Sequence, residues 1–311
     1  MQTLLTRSPA DAAGVLARSG LCALPTETVY GLAARADDAD AVAAVFRAKG
    51  RPADNPLIVH LGDVAQARHV AEVGDLGRAL LAAFAPGPLT VVLPARSGLV
   101  SAITAGLDTV AVRVPGAATA REVIGRLGVP VVAPSANRSG RPSPTTWQAV
   151  EEDLGGRIDA ILQGSPTDVG LESTVVDATG TAPIVLRPGA VTLDDLRRVF
   201  PSARPVSEGD VAARSPGTRH RHYAPRARVR LIESVADAVP SPRAAWIGTG
   251  PPPDGYGLVT VCAGPSDYAR RLFDAFRRAD AAGLTRIDAL AVPDDGIGAA
   301  VMDRLRRAAA R

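Results

Sequence analysis

Short β-branched runs, most of them cut off by proline or glycine, constrain this chain more than any other feature. Residues 57–61, 89–93, 109–114, 129–133, 173–177 and 184–186 are such runs, the right length for strands and too short for helices. Further apolar runs lie at 21–24, 29–34 and 158–162. Between them fall stretches with helix signals. Ser8, Pro9 and Asp11 give an N-cap, a proline at the first helical position and an acid in the first turn. The spacing predicts helices over 9–19, 39–48, 76–84, 145–154 and 193–199, with Gly20 and Gly50 as stops. Helices mixed with many short strands imply an α/β fold built on one large twisted mixed sheet.

Residues 201–226 read PSARPVSEGDVAARSPGTRHRHYAPR, rich in Pro, Ser and Arg and without periodicity. They read as a linker. Strand runs return at 229–232, 244–247, 258–261 and 287–292, with helices over 266–282 and 298–309. The expected layout is therefore a large unit over 1–206, a linker over 207–226, and a smaller, mostly parallel α/β unit over 227–311.

No apolar run reaches the roughly 18 residues of a membrane span, and residues 1–18 lack the apolar core of a signal peptide. Cys22 and Cys262 are far apart, each in an apolar stretch, as expected of reduced thiols in a cytoplasmic protein without membrane contact. Six arginines and no acid occupy 214–230: a solvated linker, or a face for a polyanion such as ATP or RNA. Of 35 basic side chains only Lys49 is lysine, and Asn55 and Asn137 are the only asparagines. A chain so poor in these types singles out the places where they occur.

There is no GxxxxGK[ST], no GxGxxG between strand and helix, no HExxH, no CxxC and no EF-hand loop. A nucleotide, if bound, is held by other means, and no protein-built metal cage is visible. Four polar segments sit beside strand runs instead. In the first, Thr26, Glu27 and Thr28 follow 21–24. In the second, Lys49 and Arg51 flank Gly50 at a helix end, ahead of Asn55 and His60. The third carries Ser135, Asn137 and Ser143 after 129–133. The fourth has Ser173, then Arg187 at the end of a strand. Lysine is a compact charge suited to phosphate, and arginine offers a planar fork. The plain readings of these segments are a turn, a helix-dipole cation pair and a surface salt bridge.

Taken together, PTETVYGL (25–32), KGRP (49–52), NPLIVH (55–60), PGPLTVVL (86–93), TVAVRVP (109–115), APSANRSG (133–140), ESTVVD (172–177) and LRPGAV (186–191) resemble, in order, the signature blocks of the YrdC family. SPGTRHRHYAP (215–225) is similar to the linker of its long, two-domain threonylcarbamoyl-AMP synthases, with Thr218 where methionine is expected. The resemblance implies a YrdC-like catalytic domain, a linker that closes as a lid, and a small Rossmann-like C-terminal domain. It implies synthesis of threonylcarbamoyl-AMP from L-threonine, bicarbonate and ATP with release of pyrophosphate, for the threonylcarbamoyladenosine modification of tRNA. ATP is then a substrate, with Mg²⁺ carried mainly by its phosphates. A tRNA threonylcarbamoyl transferase is the expected downstream partner, and a weak tRNA contact an additional one.

Residue by residue, the resemblance implies that Lys49 and Arg51 are catalytic. It assigns ATP to Lys49, Arg51, Asn55, Thr109, Asn137, Ser143, Arg187 and Tyr223. It assigns threonine to Thr28, His60, Arg113, Ser135 and Ser173. No general base stands out: His60 is open to that role or to hydrogen bonding alone. Two rivals are a carbamoyltransferase that handles carbamoyl-adenylate and a non-enzymatic RNA-binding module. About 85 residues after Tyr223 leave little room for the former's further domain, and the scarcity of aromatics speaks against the latter.

Overall fold

A computed structural model of the chain describes residues 2–207 and 223–310. Most of the expected linker, including Thr218, Arg214, Arg219 and Arg221, lies outside the described residues. The strands are β1 (Leu4–Thr6), β2 (Cys22–Leu24), β3 (Gly31–Arg35), β4 (Ile58–His60), β5 (Leu89–Pro94), β6 (Thr109–Arg113), β7 (Val131–Val132), β8 (Ala160–Leu162), β9 (Thr174–Asp177), β10 (Ile184–Arg187) and β11 (Arg204–Pro205), then β12 (Arg228–Ile232), β13 (Ala244–Gly248), β14 (Leu258–Val261) and β15 (Arg286–Leu290). The helices are α1 (Pro9–Ala17), α2 (Ala39–Lys49), α3 (Asp75–Phe84), α4 (Ser101–Thr104), α5 (Ala118–Leu127), α6 (Trp147–Leu154), α7 (Leu193–Val199), α8 (Pro265–Ala281) and α9 (Gly296–Ala309).

The first eleven strands form one mixed sheet, in the order β1-β8-β2-β3-β7-β4-β6-β5-β9-β10-β11. The other four form a second sheet, β12-β15-β13-β14, in which every pairing is parallel. This is the architecture expected from the alternation of short strands and helices. β1, α4, α5 and β11 were not expected. β1, α4 and β11 are only three, four and two residues long, too short to show a period, and α5 follows an N-cap, Ala117, that makes no side-chain capping bond, so its start carries no sequence signal.

Strand direction gathers the polar ends. β4 and β6 run parallel with His60 opposite Arg113. β5 is antiparallel to β6, β9 parallel to β5, and β10 antiparallel to β9. The end of β6, the start of β9 and the end of β10 therefore meet at one edge, which brings Arg113, Ser173 and Arg187 together. A bulge between Val185 and Arg187 in β10 breaks the regular register just before that arginine.

The two sheets have separate cores, but the second reaches into the first unit. Val29 and Leu171 pack in one apolar cluster with Tyr223, Tyr268, Phe273 and Phe276. Gly170 (φ +80°) lies so close to α8 that a Cβ would come 2.4 Å from the Arg270 Cα. Only glycine combines that left-handed conformation with that approach.

Candidate active site

α2 ends at Gly50 in the left-handed conformation (φ 61°), which sends its flanking cations different ways. Arg51 turns into a chamber lined also by Thr28, His60, Arg113, Ser135 and Arg187. Three arginines from three separate segments thus face one space.

Arg113 is 3% exposed and tightly fixed. Its Nη1 donates to Thr28 Oγ1 at 2.8 Å, its Nε to the Gly87 carbonyl at 3.3 Å, and its Nη2 lies 2.7 Å from Glu27 Oε1. Glu27 in turn accepts from the Gly116 and Ala117 amides at 2.8 and 3.2 Å. Burial opposes the charge of Glu27, but Arg113 and the Gly116 amide outweigh it and hold the carboxyl below its ordinary range.

His60 is buried next to Arg113. Burial, and then the Arg113 charge, push its pKa down to about 3. The ring is therefore neutral near pH 7. Its Nδ1 lies 3.3 Å from the Ile58 carbonyl. A carbonyl only accepts, so this contact selects the tautomer with the proton on Nδ1 and leaves Nε2 as an acceptor.

Arg187 donates from Nε and Nη2 to the Ser173 carbonyl at 3.1 and 2.9 Å, and from Nη2 to Ser173 Oγ at 3.2 Å. The Ser173 hydroxyl also lies 2.7 Å from Thr90 Oγ1. Arg51 donates to the carbonyls of Asn55 and Pro56 at 3.3 and 3.0 Å, and burial brings its pKa down to about 10.

Lys49 lies behind the chamber wall. It is 2% exposed, and its Nζ donates to the Ser135 and Asn137 carbonyls at 2.5 and 2.6 Å. Burial and the nearby Arg51 charge lower its pKa well below the ordinary lysine value. Asn137 Nδ2 donates to the Arg138 and Arg141 carbonyls, while its buried Oδ1 has no hydrogen-bond partner among the described residues. Asn55, Asn137 and Ser143 are buried beside the chamber rather than lining it. Thr109 opens β6, four residues from Arg113 at its other end.

The larger part of the chain, residues 14–189, matches the family described as "Telomere recombination", and residues 191–310 match "Threonylcarbamoyl-AMP synthase, C-terminal domain". The threonylcarbamoyl-AMP synthase of Pyrococcus abyssi is 42% identical over 96% of this chain and 92% of its own length. That of Bacillus subtilis is 38% identical over 98% and 94%. The crystal structure of P. abyssi Sua5 complexed with L-threonine superposes with a TM-score of 0.91 at 38% identity, covering 99% of this chain and 98% of that one. The chain belongs to the two-domain threonylcarbamoyl-AMP synthase family.

In this member of the family, Tyr223 forms part of the chamber lining in a left-handed backbone conformation (φ 68°) uncommon outside glycine. Its ring stacks on Phe273 at 5.6 Å between centroids, and the Arg304 guanidinium lies 5.5 Å from the ring centroid. Glu172 also lines the chamber and accepts from the Ser143 hydroxyl at 2.5 Å. The sequence reading passed over Glu27 and Glu172 as site residues, although both stand inside its quoted motifs. It also missed Arg304, which sits in an arginine-rich terminal helix with nothing to set it apart.

Proposed function

We propose that the chamber holds threonine and ATP together, with threonine against Arg113 and His60 and the triphosphate against Arg51 and Arg187. The chain makes threonylcarbamoyl-AMP from L-threonine, bicarbonate and ATP, an activated intermediate for tRNA modification. The observation that supports the site assignment is the convergence on one cavity of three arginines, Arg113 and Arg187 buried and Arg51 half-buried. Both substrates bring negative charge, and stabilising it in a water-poor space is the main physical task.

The threonine amine captures bicarbonate as a carbamate, with loss of water. A carbamate oxygen then attacks the α-phosphorus, and the bond from that phosphorus to the bridging oxygen breaks as pyrophosphate departs. Arg113, locked by Thr28, Gly87 and Glu27, presents a fixed fork to the threonine carboxylate. Thr28, Ser135, Ser173 and the unprotonated Nε2 of His60 supply the remaining polar contacts. Lys49 acts by holding the Ser135–Asn137 segment in place, and Asn55, Thr109, Asn137, Ser143 and Tyr223 complete the nucleotide side.

Among the described residues no group of three or more His, Cys, Asp or Glu converges to hold a metal ion. Magnesium, in this reading, rides on the phosphate oxygens. The product is an acyl-adenylate for a tRNA threonylcarbamoyl transferase, with a weak contact to tRNA itself, and the reaction belongs in the cytoplasm. No described helix is long and apolar enough to cross a membrane.

Mass spectrometry after mixing the protein with ATP, labelled bicarbonate and threonine tests the assignment. Labelled threonylcarbamoyl-AMP is expected from the wild type and is expected to fall sharply in Arg113→Ala and Arg187→Met. Undiminished product from both variants would remove the assignment.

A further inference from the structure

Among the described residues that line the chamber, Glu172 is the one carboxylate. A lone carboxylate beside a triphosphate is an electrostatic fault unless something neutralises it. One of its oxygens takes the Ser143 hydroxyl at 2.5 Å. The other takes Arg304 Nε at 2.9 Å, from a helix 132 residues further along the chain. Arg304 is fully buried. It also donates from Nη2 to the Glu172 carbonyl at 3.3 Å, and from Nη1 to the Pro188 carbonyl at 2.9 Å and to Asp303 at 2.8 Å. Pro188 follows Arg187 directly, and the same guanidinium lies over the Tyr223 ring.

One side chain of the C-terminal domain therefore touches the chamber's carboxylate, the strand end that carries a chamber arginine, and the aromatic ring that closes one wall. Asp303 has Arg307 as a second partner at 3.0 Å, so it does not use up the Arg304 charge.

We propose that Arg304 is a positioning residue for the nucleotide half of the site: it neutralises and anchors Glu172 and seats Tyr223, so that no free negative charge faces the triphosphate. Without it, Glu172 is left to repel the phosphates or to turn towards Arg187 and compete with them. The C-terminal domain then contributes to catalysis through a specific charge. This inference rests on the placement of the triphosphate against Arg51 and Arg187.

The test is a double-mutant cycle of Arg304→Met and Glu172→Gln, read as KM for ATP, kcat and threonine affinity by calorimetry. Arg304→Met is expected to raise KM for ATP roughly tenfold or more when Glu172 is present, as for a buried charge left without its partner. In the Glu172→Gln background the same change is expected to cost no more than about threefold, because the uncompensated charge is gone. Threonine affinity, which reports intact folding of the other half, is expected to stay within about twofold in every variant that remains folded. An equal cost in both backgrounds, or a drop in melting temperature with KM for ATP unchanged, would overturn the proposal. Arg187→Met is measured alongside. If it leaves ATP affinity unchanged, the triphosphate placement itself fails. If it weakens ATP while the Arg304 cost is the same in both backgrounds, only the role of Arg304 falls.

Discussion

Arg277, on α8 of the C-terminal domain, places Nη2 2.8 Å from the carboxylate of Asp153 on α6, 124 residues earlier in the chain. The same nitrogen donates to the Pro142 carbonyl at 2.5 Å. Asp153 is a node, since it also pairs with Arg141 at 2.5 Å and accepts from the Arg138 amide at 3.3 Å. The loop that carries Asn137 and Ser143 is thus held from beneath by Lys49 and from the far side by Arg277. The C-terminal domain is docked against the site by buried polar contacts as well as joined to it by the linker.

Arg277→Met is expected to leave Asp153 buried with only the half-buried Arg141 as a charged partner. The cost of breaking such a pair is about 3 kcal/mol. A urea titration is expected to show a lower midpoint with the slope kept, or two separate transitions if the domains come apart. An unchanged midpoint would show that Arg141 alone satisfies Asp153.

The fold class was legible because strand length and punctuation are local properties. Proline and glycine bound almost every strand of both sheets, and Gly50 and the Thr192 capping box end or start helices as their chemistry requires. Arg187 was legible because it ends an apolar run, and Arg51 because it pairs with Lys49 around a glycine at a helix end, whereas Arg113 became a candidate only through the resemblance to the family. The partners that fix them were not. Glu27 reaches Arg113 across 86 residues of sequence, Arg304 reaches Glu172 across 132, and no local pattern records such pairings. The sequence also did not separate Lys49 from Arg51. Two cations around one glycine look alike until the turn at Gly50 sends one into the chamber and the other onto backbone carbonyls.

That separation changes what Lys49→Ala is expected to do. The Lys49 Nζ ties together the carbonyls of Ser135 and Asn137, so its loss frees the segment on which both side chains depend. A displacement of about 1 Å at a reacting centre costs on the order of 10²-fold, and loss of an electrostatic donor about 10²–10³-fold. Pyrophosphate release is expected to fall by an amount in that range, with poorer KM for both substrates. A pure phosphate contact would instead raise KM for ATP alone.

Arg113→Ala removes the partner of Glu27 as well as the fork proposed to hold threonine. Truncating one member of a buried, hydrogen-bonded charge pair costs about 2–5 kcal/mol, so threonine binding is expected to fall below detection by calorimetry. Glu27→Gln keeps the fork and weakens only its support, so a smaller loss is expected. Equal losses in the two variants would mean that Arg113 acts only through its place in the fold.

His60 gives the stability of the fold, rather than the reaction, a pH signature. In the folded chain its pKa is about 3, whereas an unfolded histidine titrates near 6.5. Between these values the unfolded state binds the proton and the folded state does not, so stability is unaffected above about pH 6.5 and declines as the pH falls towards 3. The slope approaches about 1.4 kcal/mol per pH unit, which amounts to roughly 2 kcal/mol at pH 5. Relative to His60→Gln, the wild type is expected to lose about that much stability between pH 8 and pH 5 in parallel urea titrations. Because the imidazole stays neutral throughout that range, the pH profile of kcat/KM for threonine is expected to carry no inflection from His60. An NMR titration of the ring with a midpoint between 6 and 7 would contradict both expectations and restore His60 as a candidate general base.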